Sequence, residues 1–177
     1  MIRKYLKIKT LCAILLAFVG FQACGQEDYG YIVKVGDEAP DFQTTTPEGK
    51  TVKLSDLKGK VVMLQFTASW CSVCRKEMPH IETDIWDKLK DNPNFALFGV
   101  DLDEAAEKVS GFAKEIPVSY PLLLDPKGGI FYQYAAKGAG VTRNVIIDKD
   151  GKIVFLTRLY KPDEFEEMKA KINELLK

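Results

Sequence analysis

Cys71-Ser72-Val73-Cys74 is the arrangement in this 177-residue chain whose residue types and spacing do chemistry most directly. Two cysteines separated by two residues at the first turn of a helix can close a small disulfide. The exposed N–H groups and macrodipole of that turn favour a thiolate, which makes the first sulfur a nucleophile. The preceding run Val61-Val62-Met63-Leu64-Gln65-Phe66 has the length of a buried central strand, and Thr67-Ala68-Ser69-Trp70 carries the chain out of it into the helix. A thiol at the carboxyl end of a parallel strand lies where open α/β sheets place their reactive groups.

Zinc is the competing use of a Cys-x-x-Cys pair, and it fails on ligand supply. A closed tetrahedral site needs two further Cys or His ligands. The other cysteines, Cys12 and Cys24, lie near the amino terminus, and His80 is the lone histidine. An inert buried pair is disfavoured by the polar neighbours Ser69, Ser72, Arg75 and Lys76. No resident metal or cofactor is expected.

The amino terminus reads as an address. Arg3, Lys4, Lys7 and Lys9 form a positive region, and Leu11 through Phe21 an apolar segment short for a membrane span, so residues 1–23 are expected to be an export signal peptide. Phe21-Gln22-Ala23-Cys24 resembles the lipobox of bacterial lipoproteins, which implies acylation of Cys24 and a lipid anchor to a bacterial membrane. Residues 24–34 then serve as a lipidated tether and 35–177 as the folded domain. Cys71 and Cys74 would be the remaining free thiols, in an exported, periplasmic or cell-envelope compartment that permits disulfides.

With 25 basic and 25 acidic residues the formal net charge is zero. No basic excess recommends a nucleic-acid partner, no acidic or low-complexity block suggests disorder, and nothing demands more than a monomer. The elements that position the dithiol alternate along the chain. A strand at Thr51–Leu54 follows the Pro47-Glu48-Gly49-Lys50 turn. A helix from Cys71 to about Lys90 carries a Met78, Ile81, Ile85, Leu89 stripe, with Pro79 expected to kink it. A second apolar strand spans 95–100. Asp103 is expected to N-cap a helix carrying Ala106, Val109, Phe112 and Ala113, and a short strand covers 120–124. Strands 144–148 and 153–158 flank the hairpin signal Lys149-Asp150-Gly151-Lys152. The last helix puts Phe165, Met168, Ile172 and Leu175 on one face. This order predicts an α/β fold closed by an antiparallel hairpin.

These segments together resemble the exported TlpA/ResA-type thiol-disulfide oxidoreductases. The resemblance rests on Gly36 through Phe42, Leu54 through Lys60, Phe66 through Cys74 with Pro79, and Val145-Ile146-Ile147-Asp148 with Asp150-Gly151. It implies a thioredoxin-like fold, a central mixed sheet flanked by helices, with an added N-terminal β-hairpin and an inserted helix at 103–115. It also implies a reductase that serves disulfide-containing proteins, in cytochrome maturation or disulfide repair, and draws electrons from a membrane thiol-transfer partner.

Two positions depart from the family pattern. Most such proteins have a cis-proline where Thr142 stands, and a cis bond before threonine costs about 3–4 kcal/mol, so Val141–Thr142 is expected to be trans, in a reshaped loop. Thr142-Arg143 resembles peroxiredoxins, whose arginine activates the reactive thiolate; Arg143 is otherwise a solvated loop cation. Where thioredoxins carry a buried acid, Gln65 stands, and it cannot take up a proton at neutral pH. That duty passes to water or to a neighbour such as Glu77, otherwise a helix-surface charge. His80, a lone histidine in the middle of a helix, is not expected to act as a base.

The expected chemistry is attack by the Cys71 thiolate on a partner disulfide, followed by attack of the more buried Cys74 on the mixed disulfide. Cys71 should titrate below Cys74. Trp70, Ser72 and Val73, with Thr142 and Arg143 opposite, form the expected substrate rim. The alternative is a peroxiredoxin-like peroxidase using Cys71 and Arg143, although Ala68 and Thr67 break the Pro-x-x-x-Thr-x-x-Cys pattern. A metal or haem chaperone is weaker still, since the loop at Thr142 has no histidine and Met63, Met78 and Met168 read as core.

Overall fold

The computed structural model describes residues 29–177; the expected signal peptide, Cys12 and the lipidation site Cys24 lie outside the described residues. The core is a five-stranded mixed sheet in the order β5-β4-β3-β6-β7. Its centre is β3 (Val61–Thr67), seven residues buried without exception. Strands buried on both faces read as continuous apolar runs, which is why this one is so plain in the sequence. β3 runs parallel to β4 (Phe95–Leu102), which is parallel to β5 (Leu122–Asp125). On its other side β3 is antiparallel to β6 (Arg143–Ile147), which returns through the Asp148–Gly151 turn into β7 (Ile153–Arg158). The added amino-terminal hairpin is β1 (Gln43–Thr45) with β2 (Thr51–Lys53).

Helix α1 (Ser72–Ile81) leaves the carboxyl end of β3, and its Cys74, Met78 and Ile81 are fully buried. Burial of each such side chain stabilises the fold by about 1.5–3 kcal/mol. Pro79 offers no N–H to the helical ladder, and the helix passes directly into a π segment, Glu82–Trp86, before α2 (Asp87–Leu89). The last helix, α5 (Pro162–Leu175), lies beside α1, where the exposed His80 ring stacks on Tyr160 at 4.9 Å.

Two expected boundaries are corrected. The inserted helix α3 spans Ala106–Glu115 and is capped by Ala105 without a side-chain bond. Asp103 has φ +54°, a left-handed conformation that aspartate tolerates, and its carboxylate accepts from the Lys127 N–H at 2.7 Å instead of capping the helix. The end of the segment expected as a lipidated tether, from Tyr29 onward, is hydrogen-bonded to the domain. Ile32 N–H donates to Tyr134 O at 2.9 Å, and the Tyr31 hydroxyl donates to Thr157 O at 2.8 Å. Gly30, at φ +70°, lets this segment turn tightly; a β-carbon there would sit 3.3 Å from Ala139.

A short helix had no counterpart in the sequence reading. In α4 (Phe131–Tyr134) the Asp125 carboxylate accepts from Ile130 N–H at 2.7 Å and Phe131 N–H at 2.8 Å, anchoring the turn, and Phe131 and Tyr134 pack their rings on Phe66.

Candidate active site

The two sulfurs meet at the first turn of α1 as a Cys71–Cys74 disulfide, with a Cα–Cα distance of 5.3 Å. Cys71 is the N-cap residue, and its Sγ accepts from the Cys74 N–H at 3.2 Å. The sulfur expected to act as nucleophile therefore sits on the positive end of the helix. Cys71 is 8% exposed and Cys74 0%, the difference that an attacking and a resolving thiol require. Trp70 projects beside them, 64% exposed, while Ser72 is exposed and Val73 leans on the core.

Thr142 faces this pair from the loop before β6. Its Oγ1 lies 3.1 Å from Cys71 Sγ and 3.3 Å from Cys74 Sγ, and no peptide bond among the described residues is cis. With the sulfurs bonded to each other, the hydroxyl is the donor in these two contacts.

Arg143 goes the other way. Adjacent residues at a strand point to opposite faces, and the guanidinium is fully buried on the far side, stacked over the Tyr31 ring at 4.5 Å. Its Nε donates to Gly140 O at 2.9 Å and its Nη2 to Tyr29 O at 2.6 Å. Arg143 is neither a solvated cation nor part of the rim, which corrects both expectations. The peroxidase alternative thereby lacks the cation that would activate its thiolate.

The carboxylate is on the correct face. Glu77 lies one turn beyond Cys74 and is 1% exposed. It is held by Asn144 Nδ2, which donates to Oε1 at 2.6 Å, and more loosely by Gln65 Nε2, 3.5 Å from Oε2. Gln65 in turn accepts from the Tyr120 hydroxyl at 2.7 Å, and Asn144 also donates to Thr157 Oγ1 at 2.9 Å. Burial pushes the Glu77 carboxyl up to about 7; the two amide donors oppose the shift and Glu164 adds to it. Gln65, which cannot hold a proton, presents Glu77, which can.

A second polar group secures the turn that carries Trp70 and Cys71. The Glu104 carboxylate accepts from Ser69 N–H at 2.6 Å and from Ser69 Oγ at 2.8 Å, and pairs with Lys108. Arg75 Nε donates to Ser69 O at 2.8 Å while its guanidinium meets Glu115 at 2.7 Å. Beneath them Asp101 is buried and its carboxyl is pushed up to about 8, first by burial and then by Glu104. The inserted helix thus fastens the active-site turn, a role that sequence reasoning missed. Among the described residues no three His, Cys, Asp or Glu side chains gather as a metal site.

A Trp-Cys-x-x-Cys turn between a central strand and a helix, on a thioredoxin-like sheet, defines a thiol-disulfide oxidoreductase. The comparisons agree. The AhpC/TSA family profile matches residues 35–156. Thiol-disulfide oxidoreductase ResA of Bacillus thuringiensis subsp. konkukian is 32% identical over 177 residues, 97% of this chain and 96% of that one. A solution structure from Bacteroides thetaiotaomicron, provisionally named a protein disulfide isomerase, is 62% identical with a TM-score of 0.81, covering 83% of this chain and 92% of its own. A crystal structure from Chlorobium tepidum, provisionally named thiol:disulfide interchange protein DsbE, is 31% identical with a TM-score of 0.71 over 82% of this chain and 99% of its own. The chain belongs to the AhpC/TSA family, among its ResA-like thiol-disulfide oxidoreductases.

Proposed function

We propose that the protein reduces disulfides in other exported proteins, with Cys71 as nucleophile, Cys74 as resolving thiol and Glu77 as the proton carrier. The observation that carries this reading is the pairing of Cys71 Sγ on the α1 N-terminus with a buried Glu77 one turn past Cys74. The Cys71 thiolate attacks one sulfur of the partner disulfide; that bond breaks, and the departing sulfur leaves as a thiolate that takes a proton. Glu77, as carboxylate, accepts the proton of Cys74, whose sulfur then attacks Cys71. The second partner sulfur departs and is protonated in turn. Two electrons have passed to the partner, and Cys71 and Cys74 are left as the disulfide.

Trp70, Ser72 and Val73 form the surface on which the partner's chain rests, with Thr142, 3% exposed, behind them against the two sulfurs. Regeneration requires a dithiol donor outside the cytoplasm, and a membrane thiol-transfer protein fits that role. The leader and the lipobox-like segment ending at Cys24 support export and a lipid anchor at a bacterial membrane, with the domain acting as a monomer.

The test is trapping with insulin as a model disulfide partner. Reduced Cys74→Ser protein should accumulate a covalent adduct through Cys71 that a reductant releases, and Cys71→Ser should form none. Equal adducts from both variants would overturn the division of roles.

A further inference from the structure

We propose that Glu164 is a second carboxylate of the redox site: it lines the same narrow cleft as Glu77 and, anchored by Tyr29, sets how readily Glu77 takes and releases its proton. The inference rests on the role given to Glu77 above and extends it to a residue on a different helix.

The cleft lies between α1, the β6–β7 pair and the start of α5; Glu77, Asn144, Thr157, Lys161 and Glu164 line it together with the apolar Leu159, Phe165 and Met168. Glu77 is 1% exposed, with Met168 and Phe165 beside it in the cleft lining. Two polar atoms in this region, Asn144 Oδ1 and Glu164 Oε2, are buried without a hydrogen-bond partner. Buried acceptors left in this condition destabilise a fold, and both residues line the cleft that holds the Glu77 carboxyl. The other oxygen of Glu164 is fixed, since the Tyr29 hydroxyl donates to Oε1 at 3.2 Å and Lys161 Nζ donates to the Tyr29 hydroxyl at 3.0 Å.

The titratable groups around Glu77 can be named element by element. Its own helix brings Cys74, the strand-entry loop Tyr120, the amino-terminal segment Tyr29 and Tyr31, the loop before α5 Tyr160 and Lys161, and α5 Glu164. Tyr31, Tyr120 and Tyr160 stay neutral, because burial raises Tyr31 and Tyr120 far above neutrality and Tyr160 is also raised. Glu164 is the neighbouring carboxyl that adds to the rise at Glu77, as a like charge holds a carboxyl in its protonated form. Tyr29 belongs to the segment expected as a tether, so the chain that leads to the membrane also secures the residue that tunes the site.

The experiment is a carbon-13 titration of the Glu77 carboxyl in the oxidised protein, with Glu164→Gln, Glu164→Ala and the exposed control Glu166→Gln on the same helix. Both Glu164 variants should lower the Glu77 midpoint by about half a pH unit or more, and Glu166→Gln should leave it in place. The pH midpoint of the exchange rate with glutathione disulfide should move in the same direction. A Glu77 midpoint near neutrality that does not move in a folded Glu164 variant overturns this inference and leaves the Glu77 role standing. A Glu77 that titrates as an ordinary surface carboxyl in the unaltered protein overturns both.

Discussion

The Thr142 hydroxyl stands 3.1 Å from Cys71 Sγ, at the place where the family resemblance implies a cis-proline. Proline has no donor to offer there. In the reduced protein a hydroxyl at this distance can donate to the Cys71 thiolate, and hydrogen bonds to charged groups contribute about 1.5–3 kcal/mol. Thr142→Val keeps the shape and removes the donor. Its Cys71 thiolate, followed by ultraviolet absorbance, should form about one pH unit higher than in the unaltered protein, and exchange at neutral pH should slow accordingly.

Glu77 makes stability depend on pH with a definite sign. Its folded value of about 7 lies above the ordinary 4.5, so between those two pH values the folded state keeps a proton that the unfolded state has released. Stability conferred by this group is intact below pH 4.5 and declines as pH rises toward 7, by something on the order of 2–4 kcal/mol. Denaturant unfolding of the oxidised protein should show the decline, and Glu77→Gln should make it shallower between pH 4.5 and 7. Asp101, raised to about 8, extends the decline to higher pH and should survive in the Glu77 variant.

Glu104 should matter for the shape of the active-site turn. Glu104→Ala leaves Ser69 N–H and Oγ without their acceptor, and the loss of a charged acceptor of this kind costs about 1.5–3 kcal/mol. Thermal unfolding should reveal that loss, and amide exchange at Ser69 and Trp70 should quicken with it.

Arg143 should behave as a structural residue. Arg143→Met removes the stacking on Tyr31 and the bonds to Gly140 and Tyr29 while preserving apolar bulk. A destabilisation of about 2–4 kcal/mol is expected, with little change in the thiolate titration of Cys71. A large rise in that titration would place the guanidinium in the redox chemistry after all.

The dithiol and the sheet were legible because local patterns carry them. Val61 through Phe66 is an unbroken apolar run, Asp150-Gly151 marks the hairpin, and the Met78, Ile81, Ile85 stripe needs one helical period to be seen. What could not be read depends on contacts distant in the chain. Glu77 follows Arg75 and Lys76 and looks like a surface charge; Gln65 and Asn144, which hold it, come from two strands that meet only in the folded sheet. Arg143 is removed from the rim by Tyr29 and Tyr31, more than a hundred positions earlier. Asp103 had the residue type of a helix cap and was drawn instead into a left-handed turn by Lys127.

The reduction potential of the Cys71/Cys74 couple, measured in the protein by equilibration with glutathione or dithiothreitol buffers and with Cys71→Ser as control, tests the proposed direction of electron flow. A reductase should give a value near or below about −250 mV, in the range of thioredoxin at about −270 mV. A value near the −120 mV of a strong oxidant such as DsbA, roughly 130 mV higher, would contradict it and make the protein a donor of disulfides.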